Sequence, residues 1–141
     1  MKNVQFSEGL ETIEYAAFAE SRVESVALPA SLRTVSQCAF IKCRNLRTVK
    51  FREGLEVLGT DKCQGDGGLF GGVFQDTSVE RVELPSTLRR IEYQAFAHCR
   101  NLRHIDLPDG LEYIGKWCFE NSSIVSVRLP PGLKAVEAST F

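Results

Sequence analysis

A Cys-His nucleophilic pair in this chain has to be drawn from two histidines and five cysteines. His98 directly precedes Cys99, and His104 stands just before Asp106, with one residue between. A thiol beside an imidazole base is the composition of a nucleophilic pair. Cys38, Cys43, Cys63, Cys99 and Cys118 contain no C-x-x-C spacing, which leaves neither a dithiol redox motif nor a zinc site. An odd number of cysteines in 141 residues also argues against a disulfide framework. Cys63 lies in the glycine-rich stretch 60–72 and is the thiol best placed for a thiol-dependent enzyme. The glycines of that stretch lack the Lys-Ser/Thr of a phosphate-binding loop and the spaced acidic ligands of an EF-hand. No metal and no cofactor is expected.

Residues suited to binding are more numerous. Within the same stretch, Asp66 and Phe70 form a candidate binding pair, since an aromatic on a glycine-rich loop can anchor a partner. Arginine outnumbers lysine eleven to six, and Arg22, Arg44, Arg47, Arg81, Arg100 and Arg103 recur at related positions. Such a stripe could grip phosphate or carboxylate groups. Glu24, Glu80 and Glu83 interrupt it and the formal net charge is −1, so no nucleic-acid partner is expected.

What must position these groups is a repeat. Val4, Val26, Val49, Val82, Ile105 and Val127 recur at successive spacings of 22, 23, 33, 23 and 22. Six positions after each anchor stands a leucine: Leu10, Leu32, Leu55, Leu88, Leu111 and Leu133. Nine positions after each stands Ile13, Val35, Leu58, Ile91, Ile114 or Val136. A phenylalanine column, Phe18, Phe40, Phe74, Phe96, Phe119 and Phe141, completes the unit once an insertion at about 61–71 is set aside. One such coil is too short to bury its apolar edge alone, whereas stacked coils bury a continuous core.

Each anchor sits in a pattern L-x-x-V-x-L, a short alternating run suited to a strand with one buried face. Pro29, Pro85, Pro108 and Pro130 follow directly and stop the strand, having no N–H to donate. The expected architecture is a β-rich α/β solenoid forming one domain over residues 1–141. About six right-handed coils start near 4, 26, 49, 82, 105 and 127. A parallel sheet lies on one side, with short strands or helical turns opposite. Side chains alternating with the buried anchors face outward. Thr48, Lys50, Arg81, Glu83, His104, Asp106 and Arg128 are the candidate binding residues of that face. By register Cys99 is a core residue, which leaves Cys63 as the thiol open to catalysis.

The string L-P-x-x-L-x-x-I-x-x-x-A-F-x-x-C-x-N-L, fullest at Leu28–Leu46 and Leu84–Leu102, resembles the BspA-type leucine-rich repeat. The resemblance covers essentially the whole chain and implies a solenoid used for adhesion or protein binding at microbial surfaces. Ser7 and Arg52 stand where the pattern usually has proline.

The sequence reading is therefore a non-catalytic scaffold that presents a rigid face to a protein partner. The alternatives are a thiol-dependent enzyme using Cys63 and a purely structural segment of a larger surface protein. No apolar run reaches the roughly 20 residues of a membrane span. The expected location is cytoplasmic if the chain is complete, and cell surface or secreted if it is part of something longer. The pattern runs to both termini without polar caps, so self-association through the ends is a further expectation.

Overall fold

The computed structural model describes residues 2–60 and 71–141. Ten short strands form two parallel sheets: β1 (Asn3–Gln5), β2 (Thr12–Ile13), β3 (Ser25–Leu28), β4 (Thr34–Val35), β5 (Thr48–Phe51), β6 (Val57–Leu58), β7 (Arg81–Glu83), β8 (Arg90–Ile91), β9 (Tyr113–Ile114) and β10 (Ala135–Val136). The first sheet has the order β1-β3-β5-β7, and the second the order β10-β9-β8-β6-β4-β2. Anchors pair in register, Val4 with Val26, Val26 with Val49 and Val49 with Val82. The long step through the insertion therefore keeps the register of the shorter steps.

Alternation accounts for burial. In β5 the pattern is half-buried, buried, exposed, buried, so Val49 and Phe51 enter the core while Lys50 faces solvent. The core is a file of rings and aliphatic side chains. Consecutive rings of Phe18, Phe40, Phe74, Phe96, Phe119 and Phe141 stack with centroids 5.2 to 5.7 Å apart and interplanar angles no greater than 14°. Offset-stacked contacts of this kind add to plain area burial. The residue before each central ring is small and sealed: Ala39, Val73, Ala95 and Cys118.

A third hydrogen-bonded ladder runs along the ring corner. The N–H of Phe18, Phe40, Phe74, Phe96 and Phe119 donates to the carbonyl of Ala39, Val73, Ala95, Cys118 and Thr140 respectively. Turning this corner requires left-handed backbone at Glu20, Lys42, Asp76, His98 and Asn121, with φ between 52° and 58°. That conformation costs an L-residue about 1–2 kcal/mol. It is held because the first four of these residues also donate their N–H to the next coil, at 2.7–3.1 Å.

One expectation is narrowed and another needs correction. Of the short strands or helical turns expected opposite the first sheet, short strands stand in all six coils and, among the described residues, no helical turn. Two-residue strands suffice there because each coil turns away almost at once. The first sheet, expected to cross all coils, stops after β7. The N–H groups of His104 and Asp106 make no backbone hydrogen bond to coil 4 among the described residues, while the other two ladders continue through the same step: Gly115 to Ile91 at 2.8 Å and Phe96 to Cys118 at 2.8 Å. With the step that pairs Ile91 with Ile114, Glu83 comes opposite Asp106, a like-charge pair that disfavours strand pairing at this point. The sheet does not resume one coil on, where the step of Tyr113 to Ala135 brings Asp106 opposite Arg128.

Candidate functional site

The outward face of the first sheet brings together most of the predicted binding residues. Lys50 and Glu83 are register partners and form an ion pair at 2.9 Å. One row along, Arg47 reaches Glu80 at 2.9 Å. Thr48, half-buried, pairs in register with Arg81, whose exposed guanidinium makes no ion pair among the described residues. These charges sit on backbone fixed by three ladders, so their spacing is set before any ligand arrives.

Beyond β7 the face changes character. His104 and Asp106 hydrogen-bond to each other along the chain, Nε2 to Oδ1 at 2.9 Å, instead of across to the neighbouring coil. Arg128 turns away from Asp106 and pairs with Asp109 at 2.6 Å. Between coils 4 and 5 lies a cleft of about 430 Å³ whose walls include Arg81, Glu83, His104 and Asp106. Alternation along the chain puts these four on one flat face; the structure places them on two sides of a cleft. Glu80, treated in the sequence only as an interruption, is part of the same wall. Its pairing with Arg47 is readable from the step between Val49 and Val82 once opposed positions are compared.

The thiols of the repeat are structural. Cys99 is fully buried, donates to the Phe74 carbonyl at 3.1 Å, and has the Thr77 hydroxyl 3.4 Å from its Sγ. Burial pushes its ionisation up to about 12, against the partial help of the Thr77 hydroxyl. Cys43 repeats the arrangement with Ser21 at 3.3 Å and the Phe18 carbonyl at 2.9 Å, and burial raises its thiol as well. Burial also raises Cys118. A thiol that holds its proton is a poor nucleophile, and the partners of the Cys99 thiol are Thr77 and the Phe74 carbonyl, with no hydrogen bond to the adjacent His98 among the described residues. Cys63, Asp66 and Phe70 lie outside the described residues. Among the described residues no group of three or more His, Cys, Asp or Glu side chains could hold a metal ion.

The arrangement can therefore present fixed, alternating charge and an open cleft. The BspA type leucine rich repeat region matches the chain in six copies, over residues 1–65 and 71–141. The chain belongs to this family. Among solved structures, a leucine-rich repeat protein from Bacteroides ovatus superposes with a TM-score of 0.78 at 20% identity, over 94% of this chain and 32% of that one. The pneumococcal vaccine antigen PcpA gives 0.55 at 16% identity, over 93% of this chain and 41% of that one. A Treponema pallidum leucine-rich repeat protein gives 0.54 at 23% identity, over 76% of this chain and 59% of that one. These likenesses establish a shared solenoid fold. The chain spans about a third of the Bacteroides protein's length. Curated proteins gave no match. In this BspA-type solenoid no described helix is long and apolar enough to cross a membrane.

Proposed function

We propose that this BspA-type solenoid is a non-catalytic scaffold whose sheet face, from coil 3 to coil 5, binds a protein partner. The observation that carries the reading is the Lys50–Glu83 pair, held at 2.9 Å on strands locked in register. Charge fixed on a stiff backbone loses little ordering entropy on binding and discriminates partners by complementarity. The cleft beside Arg81 and His104 gives the face relief that a flat sheet lacks.

The test is a variant in which Lys50, Glu83 and Asp106 are all replaced by Ala. It should abolish capture of the partner that the wild-type chain retains, with thermal unfolding almost unchanged, because all three side chains are solvent-exposed. Undiminished capture by the folded variant would remove the sheet face from consideration. A second reading, a structural section of a longer solenoid, is favoured by the partial coverage of the Bacteroides protein; it predicts that the isolated chain captures nothing.

A further inference from the structure

The arginines of this molecule divide into two classes. Arg33, Arg47, Arg52, Arg89, Arg90 and Arg128 each make an ion pair or donate to a backbone carbonyl. The side chains of Arg22, Arg44, Arg81, Arg100 and Arg103 do neither among the described residues, and all five are exposed. Arg22, Arg44, Arg100 and Arg103 share one location, the edge where each coil closes and enters the first sheet, shortly before an anchor, whereas Arg81 lies within β7 on the outward face. The carboxylates that interrupt this stripe in the sequence are largely neutralised in space. Glu24 lies 3.7 Å from Lys2, Glu80 is bound by Arg47, Glu83 by Lys50, and Glu20 lies 3.6 Å from Lys42. A chain of net charge −1 thus carries one edge whose guanidinium groups are uncompensated.

Two adjoining clefts run along that edge and share Arg44. The first, about 450 Å³, is lined by Arg22 and Arg44 with Ser21, Asn45 and the mutually paired Glu20 and Lys42. The second, about 330 Å³, is lined by Arg44 and Arg100 with Ser78 and Asn101; Asp76 is the one carboxylate on its wall. Arg22 and Arg44 close successive coils, and Arg44 and Arg100 close coils two apart, so backbone spacings of about 5 and 10 Å separate them. No aromatic side chain lines either cleft apart from the His98 imidazole in the second. That leaves little of the stacking platform on which single-stranded nucleic acids rest. It leaves guanidinium forks, which match acidic oxygens in pairs, interleaved with hydroxyls and amides.

We propose that this edge binds an anionic polysaccharide, its acid groups taken by Arg22, Arg44 and Arg100 and its hydroxyls by Ser21, Asn45, Ser78 and Asn101. The site is separate from the sheet face and does not rest on the protein-binding reading.

The test is salt-gradient retention on immobilised heparin, with polygalacturonate in parallel to separate sulfate from carboxylate as the acid group. Retention on either supports the proposal and names the group. Replacing Arg22, Arg44 and Arg100 together with Gln should weaken binding at least about tenfold, as loss of charge-assisted contacts does. Replacing Arg33, Arg52 and Arg89 with Gln makes the same change in net charge and should leave binding within about twofold. Because the three edge arginines use their guanidinium groups in no ion pair or hydrogen bond among the described residues, thermal unfolding of the first variant should match wild type; Arg44→Gln alone, shared by both clefts, repeats the test with one change. The proposal is overturned if the wild type is retained on neither column, if both triple variants lose equally, or if single-stranded DNA or polyglutamate of matched charge displaces the polysaccharide as well as free heparin does. The variant of Lys50, Glu83 and Asp106 should bind heparin as the wild type does, which separates failure of this site from failure of the sheet face.

Discussion

Phe40 and Phe74 stand on either side of the insertion, yet their rings stack at 5.3 Å with 12° between planes, nearly the geometry that Phe74 makes with Phe96 across an uninterrupted coil. The insertion in coil 3 is therefore accommodated without displacing the core. Ring-on-ring contact, corner hydrogen bonds and the two sheets all step through it in register, so the rigidity that a binding face needs is continuous from coil 2 to coil 4.

Phe96 is fully buried between Phe74 and Phe119, whereas Phe141 closes the file and is 55% exposed. Phe96→Ala should cost about 3–5 kcal/mol, in line with large core truncations. Phe141→Ala should cost less than about half of that, because much of its surface is already in water. Urea unfolding of the two variants measures both; equal losses would contradict a stacked core.

Glu83 comes opposite Asp106 where the first sheet ends. Asp106→Lys should convert the repulsion into a pair, raise stability by about 0.2–1 kcal/mol, and extend the sheet into coil 5. Amide hydrogen exchange at positions 104 and 106 should slow relative to wild type. Unchanged exchange in a folded variant would mean that something other than charge holds the cleft open.

Gly72 and Gly132 make graded predictions. A Cβ at Gly72 would collide with the Gln94 carbonyl, while at Gly132 it would make a tight contact with the Asp109 carbonyl oxygen at 3.3 Å. Gly72→Ala should therefore destabilise by about 1–3 kcal/mol or more, and Gly132→Ala should cost less, because a shift of a few tenths of an ångström relieves its contact. Thermal unfolding distinguishes them.

The Cys99 thiol is raised by burial from 9.0 to about 12. A group whose folded pKa is raised stabilises fully below its unfolded pKa, and that stabilisation is lost as pH climbs from about 9 toward about 12, where only the unfolded chain ionises. Stability should fall across this window. In Cys99→Ala the slope should be shallower by about 1.4 kcal/mol per pH unit. Denaturant midpoints at pH 8, 9.5 and 11 provide the check, and identical slopes would contradict the burial of this thiol.

Much of this molecule was legible before its structure because its information is periodic. The register of Val49 with Val82, the buried ring column and the sealed small residues before it all follow from column alignment, since a slip of one position would turn each strand inside out. A like-charge contact at the break between coils 4 and 5, glutamate above aspartate, was also written in the columns. It becomes visible only when opposed residues are compared pair by pair instead of as a mixed-charge face. The two arginine classes were not legible, because whether Arg47 or Arg81 finds a carboxylate depends on side-chain reach across coils and not on spacing along the chain. Helical turns were one of two solutions the repeat allowed opposite the sheet, and apolar periodicity over so short a run does not separate a strand from a turn.

The central claim is that six phenyl rings in file hold the coils in register and so fix the face they carry. Nuclear Overhauser contacts among the ring protons of Phe18, Phe40, Phe74, Phe96, Phe119 and Phe141 test it directly. The account predicts contacts between each ring and only its immediate neighbours in that order, Phe40 to Phe74 included. Missing contacts across the insertion, or contacts between rings two steps apart, would contradict it.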